Sequence, residues 1–287
     1  MTYLPRAQYR DVDVGEGLRL RVVELGGGPP IVFLHGFTGS TETWESFQLV
    51  FAERYRTIAV DLPGHGGSSD PDDPLRYSLD RVANDLAKVL DELGVERIAL
   101  IGYSMGGRAA IRFALSHAPC VAALILESTS PGIADPGLRE DRRAADEALA
   151  DDIEQHGIEA FVDRWETLSL WETQRDLPAE TQARVRAQRL ANRPRGLANS
   201  LRGAGAANDV PTQHLLQELR VPSLILAGAR DDRYVELGNM LGASLPNSTM
   251  VIIPEAGHAA HLEQPRAFAD AIARFLSGVP SSGDCWI

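Results

Sequence analysis

The run Ile98-Ala99-Leu100-Ile101-Gly102-Tyr103-Ser104-Met105-Gly106-Gly107-Arg108 carries the first sign of chemistry. An apolar β-type stretch ends in Gly-x-Ser-x-Gly, and an alanine-rich helical pattern follows it. A serine on a sharp strand-to-helix turn is an exposed nucleophile, and glycines at 102 and 106 let strand and helix close around it. The helix start adds backbone N–H groups and a positive dipole end, both suited to a developing oxyanion. A hydroxyl nucleophile needs a base, and the base needs an orienting carboxylate. The apolar stretch 221–228 reads as a buried parallel strand and runs into Ala229-Arg230-Asp231-Asp232. Asp231 has the spacing Gly-x-x-Asp after Gly228 and is favoured over its neighbour Asp232 as the acid. The next strand pattern ends in Glu255-Ala256-Gly257-His258, which sets a histidine after a glycine turn at the same sheet edge. Ser104, Asp231 and His258 are therefore the candidate catalytic triad, in the chain order Ser, Asp, His. His261, beside a helix start, reads as structural.

The oxyanion site has a second half. Residues 31–35 form a strand pattern followed by Gly36 and Phe37. The Phe37 amide is expected to join that of Met105 at the oxyanion. His35 reads as a structural, hydrogen-bonded histidine. The turn Asp61-Leu62-Pro63-Gly64-His65-Gly66 lines the same edge, with His65 structural as well.

These residues must be carried by a sheet. Strand patterns fall at 18–25, 31–35, 56–61, 98–103, 121–127, 221–228 and 249–253. Helical patterns at 43–51, 79–93, 106–116, 235–245 and 265–276 separate them. Such alternation predicts an α/β fold: a doubly wound, mostly parallel sheet of the α/β-hydrolase type. Between Glu127 and Val221 no strand signal appears, and the interval is too long for a plain loop. Its patterns are helical, at 138–156 (closed by Gly157), 158–165, 179–190 and 196–204. The expected organisation is a core of residues 1–129 and 206–280, a helical lid at 130–205, and a disordered tail at 281–287.

Composition narrows the function. The 287 residues are 44% hydrophobic and carry a net charge of −12. That charge argues against nucleic acid and anionic membranes as partners. The two cysteines, Cys120 and Cys285, give no disulfide framework. The start lacks a signal-peptide core and no run reaches membrane-spanning length, so a cytoplasmic protein is expected. No Cys/His cluster indicates a metal, and no glycine-rich fingerprint after a strand indicates a nucleotide cofactor. The lid, in contrast, is rich in arginine: Arg139, Arg142, Arg143, Arg184, Arg186, Arg189, Arg193, Arg195 and Arg202. Most of these read as solvated helix faces. Arg108, one turn into the elbow helix, stands beside the nucleophile. Guanidinium forks suit carboxylates, so a small-molecule polycarboxylate substrate is expected, with aromatic walls such as Tyr103, Trp165 and Trp171.

Four segments together resemble a known family: His35-Gly36-Phe37-Thr38-Gly39, Asp61 to Gly66, Gly102-Tyr103-Ser104-Met105-Gly106-Gly107-Arg108, and Gly257-His258-Ala259-Ala260-His261-Leu262-Glu263-Gln264-Pro265. The lid adds Ser130-Pro131-Gly132-Ile133, Arg142 before Asp146, Ile158 to Trp165, and Arg189 before Asn192. The pattern resembles the menaquinone-pathway synthase family, which makes 2-succinyl-6-hydroxy-2,4-cyclohexadiene-1-carboxylate by eliminating pyruvate. The chain departs from it at Ser169-Leu170-Trp171, where Pro-Leu-Phe is expected, and at Arg193-Pro194-Arg195, where an Asn-rich turn is expected. The resemblance implies that Arg108, Arg142 and Arg189 bind substrate carboxylates, that Tyr103 and Trp165 line the pocket, and that the triad acts as a base. A carboxylesterase or C–C bond hydrolase with a Ser104 nucleophile is the alternative enzyme. A non-catalytic binding protein on the same fold is the alternative of another class.

Overall fold

The computed structural model describes residues 7–279, so the tail expected at 281–287, with Cys285, lies outside the described residues. Short runs rich in Val, Ile and Leu form β1 (Gln8–Asp13), β2 (Arg19–Gly26), β3 (Pro30–Leu34), β4 (Arg56–Val60), β5 (Ile98–Tyr103), β6 (Val121–Glu127), β7 (Ser223–Gly228) and β8 (Ser248–Ile253). They make one eight-stranded sheet in the order β1-β2-β4-β3-β5-β6-β7-β8. The pairs β1–β2 and β2–β4 are antiparallel, and every pair from β4 to β8 is parallel. Both faces of β5 and β6 are buried, as their unbroken apolar runs require.

Helices cover the two faces. Helices α1 (Glu45–Phe51), α2 (Leu79–Glu92) and α3 (Met105–Ser116) precede β6 or the turn leading into it. Val82, Leu86 and Val89 of α2 and Phe113 of α3 pack with Val32, Leu100 and Leu124 on one face. Phe47 and Phe51 of α1 pack on the other face with Phe33, Ile101 and Ile125. Phe268 and Ile272 join them from the C-terminal helix Pro265–Ser277. This is the doubly wound arrangement that the alternating pattern predicts.

Between β6 and β7 lie α4 (Pro136–Trp165), α5 (Ala179–Leu190) and α6 (Pro194–Ala204). The first is broken at Gly157, where φ 79 and ψ 177 leave the helical region, so the two expected helical segments meet there at a kink. Ala150, Ile153, Phe161 and Val162 of α4 pack with Leu197, Ala198 and Leu201 of α6 into a separate small core. Among the described residues, no helix is long and apolar enough to cross a membrane.

Two turns at the carboxyl edge of the sheet rest on neutral histidines. His35 Nδ1–H donates to the Gly36 carbonyl at 2.7 Å, and its Nε2 accepts the Leu62 amide at 3.0 Å. A proton on Nε2 would set one donor against another. The His65 ring lies 5.0 Å from that of His35, and its Nδ1–H donates to the Pro63 carbonyl at 3.0 Å. Burial pushes His35 down to about 4 from the usual 6.5. Burial, reinforced by His35, pushes His65 down to about 3. The unfolded chain therefore takes up protons before the folded one does, and stability falls as pH drops from about 6.5 towards about 4. Each histidine costs up to roughly 1.4 kcal/mol per pH unit within that window. Urea midpoints measured from about pH 7 to about pH 5 should fall less steeply in His65→Gln than in the wild type. Identical slopes would locate the acid lability elsewhere.

Candidate active site

Strand β5 ends at Tyr103, and Ser104 adopts φ 52, ψ −110 before α3 begins at Met105. A non-glycine residue holds such a backbone only when its surroundings fix it. Here the Ser104 amide donates to the Glu127 carbonyl at 2.9 Å, at the end of β6. A Cβ on Gly102 would meet the Gly107 Cα at 2.7 Å, and one on Gly106 the Leu34 carbonyl carbon at 2.7 Å. Glycine at both positions lets β3, β5 and α3 converge under the serine.

His258 Nε2 lies 3.2 Å from Ser104 Oγ, and its Nδ1 lies 2.8 Å from Asp231 Oδ2. The carboxylate accepts the Nδ1 proton, which leaves Nε2 free to accept from the serine hydroxyl. The other Asp231 oxygen accepts the Tyr234 amide at 3.2 Å and so caps α7 (Asp232–Ser244). Asp232, the competing acid, is the exposed first residue of that helix. The His258 ring is buried between Tyr234 (4.4 Å between centroids), Tyr103 (5.4 Å) and Trp171 (5.5 Å).

His261 lies in the short helix α8 (Ala260–Glu263) and takes no part in this relay. Its Nδ1 and its amide each donate to Glu127 Oε1 at 2.9 Å. Glu127 thus grips the serine turn through its carbonyl and the histidine loop through its carboxylate, both fully buried. Glu263 adds a bond from the Gly257 amide at 2.6 Å. Sequence reasoning missed Glu127, although an acid closing an otherwise apolar strand was the available signal.

A cavity of about 390 Å³ opens above Ser104. Phe37, Tyr103, Met105 and Trp165 line it, together with His258. The Met105 amide is the first of α3, with no acceptor inside the helix. The Phe37 ring stands edge-on to Trp165 at 5.5 Å, joining the turn after β3 to α4. Trp171, Tyr234 and Arg233 also reach the wall, and Tyr234 and Arg233 had no sequence signal because the fold alone brings the start of α7 there.

The three expected arginines divide. Arg108 is buried on the cavity wall, its Nη1 4.0 Å from Asp209 and without a hydrogen bond. Asp209 bonds Arg112 more closely, at 2.6 Å. Burial pushes the Arg108 guanidinium down, and Asp209 opposes that shift. Arg142 is half-buried on the wall and bonds Asp146 at 2.7 Å. Burial pushes the Asp146 carboxyl up, and Arg142 opposes the rise. Arg189 does not reach this wall. Its guanidinium lies 4.9 Å over the Trp171 ring and donates to Glu166 at 3.1 Å and to Gln174 at 3.0 Å. Those partners hold it behind Trp171. Among the described residues, no group of three or more His, Cys, Asp or Glu side chains is placed to hold a metal ion.

A family model described as the alpha/beta hydrolase fold matches residues 29–265. A Bacillus subtilis protein, provisionally named 2-succinyl-6-hydroxy-2,4-cyclohexadiene-1-carboxylate synthase, is 38% identical over 94% of this chain and 98% of its own. A Serratia proteamaculans protein bearing the same synthase name is 31% identical over 90% of this chain and 98% of its own. The solved structure of MenH from S. aureus superposes with a TM-score of 0.85 at 34% identity, covering 96% of this chain and 98% of that one.

The Glu127–His261 contact generates a stability test. Glu127→Ala leaves the His261 Nδ1–H and amide buried without their acceptor, which should cost roughly 3–5 kcal/mol. The urea midpoint should fall with the denaturant slope unchanged. A loss below about 0.5 kcal/mol would show that the two loops are held by other contacts.

Proposed function

From a chain that belongs to the 2-succinyl-6-hydroxy-2,4-cyclohexadiene-1-carboxylate synthases of the α/β-hydrolase fold, we propose a lyase that eliminates pyruvate from a polycarboxylate cyclohexene, the step its relatives' name implies in menaquinone biosynthesis. The observation that carries this reading is the pairing of two features in one cavity. Ser104 and His258 form a base held by Asp231, and Arg108 faces them with an unbonded Nη1. In this reading the Ser104–His258 pair removes a proton from the carbon next to the succinyl carbonyl. The C–H electrons form a new double bond, and the carbonyl oxygen takes the charge beside the Phe37 and Met105 amides. The enolate electrons then return, the ring double bond shifts by one position to complete the diene, and the ring C–O bond breaks, so that the enolpyruvyl oxygen leaves with its electrons as pyruvate enolate. The proton held at His258 returns to that product. No electron is gained or lost, so the step calls for no redox cofactor. A positioned base is worth roughly 10²- to 10⁴-fold, and each oxyanion donor roughly 10²- to 10³-fold.

Arg108 and Arg142 supply the carboxylate contacts in this reading, and Tyr103 and Trp165 the walls. A contact from Arg189 requires Trp171 to swing aside. We assign residues 130–205 as the lid over the core. The small core shared by α4 and α6 supports that assignment. A cytoplasmic setting fits a biosynthetic enzyme of this kind.

Incubation with the pyruvate-bearing intermediate should release pyruvate. Ser104→Ala should lower that rate by roughly 10³-fold or more while the protein stays folded. Asp231→Asn should be crippling, because His258 loses its anionic partner, and Asp232→Asn mild. Equal losses would overturn the acid assignment. Arg108→Ala should lose roughly 2–5 kcal/mol of transition-state stabilisation with the polycarboxylate. Efficient turnover of a small neutral ester, indifferent to Arg108 and Arg142, would replace the lyase with an esterase.

A further inference from the structure

We propose that Arg233 provides the third carboxylate seat of this cavity, at its mouth, and so determines the enzyme's preference for a tricarboxylate. The inference rests on the lyase reading and extends it. A substrate that yields pyruvate and 2-succinyl-6-hydroxy-2,4-cyclohexadiene-1-carboxylate carries three carboxylates: the succinyl, the ring and the pyruvyl. The cavity wall offers three arginines, Arg108, Arg142 and Arg233, while Arg189 is engaged behind Trp171.

The three differ in depth. Arg108 is buried, Arg142 half-buried and Arg233 exposed, so the cations are graded from the floor of the cavity to its opening. Among the described residues, Arg233 forms no ion pair, whereas Arg142 is bonded to Asp146. Arg230, its neighbour on the other side of the acid, pairs with Asp176 at 3.4 Å and is absent from the wall. The helix turn that carries Arg233 is tied to the site. Asp231 caps α7 and fixes His258, and Tyr234 packs its ring 4.4 Å from that histidine. One helix turn thus carries the acid of the triad, a wall of the base and the outer cation.

A guanidinium at a solvent-facing mouth acts mainly on capture. Its charge is screened by salt, and its effect falls on association more than on the chemical step. Arg233→Ala should therefore raise KM for the pyruvate-bearing intermediate about tenfold and leave kcat within about twofold. Arg233→Lys should recover part of the loss, since it keeps the charge without the fork. The increase of KM with ionic strength should be shallower in Arg233→Ala than in the wild type. Arg274→Ala, which removes the same charge from the C-terminal helix, should leave KM unchanged and so separate a local seat from the protein's overall field. A wild type that releases no pyruvate overturns the lyase reading. A wild type that releases it, with Arg233→Ala matching either the wild type or Arg274→Ala in KM and salt response, overturns the seat.

Discussion

The working edge of this protein depends on how closely three backbones approach beneath Ser104. The serine sits at positive φ, a conformation worth roughly 1–3 kcal/mol of strain for a residue with a side chain. Neighbouring contacts hold it there. Its amide is taken by the Glu127 carbonyl, and its own carbonyl accepts the Thr129 hydroxyl at 2.7 Å. Gly102 and Gly106 remove the Cβ atoms that would otherwise hold β3 and α3 apart. With that approach made, the hydroxyl, the first amide of α3 and the turn after β3 meet in one place. Asp231 and His258 come from the far side of the sheet, on loops after β7 and β8, and Glu127 at the centre ties the two halves together.

Electrostatics follow a second, local logic. A chain with a net charge of −12 repels polyanions at long range. Attraction begins only within the reach of the cavity, where arginines outnumber carboxylates on the wall. Burial leaves Arg108 poorly solvated and Asp209 busy with Arg112, so the cavity wall holds a cation that lacks a good partner.

Much of this was legible in the sequence. The parallel strands were visible because their residues are apolar on both faces, and the elbow because Gly-x-Ser-x-Gly follows one of them. The choice of Asp231 over Asp232 agrees with the bond to His258, since spacing after Gly228 decides which side chain faces back across the sheet edge. Strand β1 was missed for a physical reason: only Val12 of its six residues is buried, so it shows no alternating apolar face. The first turn of α7 was missed because its residues, Asp232 and Arg233, are charged and exposed. Arg189 reads in sequence like the other arginines between β6 and β7. Only the packing of Glu166, Gln174 and Trp171 around it shows that its charge is already engaged.

Asp231 caps a helix with one oxygen and holds the His258 ring with the other. The two duties share a single carboxylate, so fraying the first turn of α7 would release the imidazole from its tautomer and angle. Loss of that cap would leave the sheet in place and still part the imidazole from its carboxylate. The start of one helix and the setting of the imidazole are thus a single structural unit, and a change at either is felt at the other.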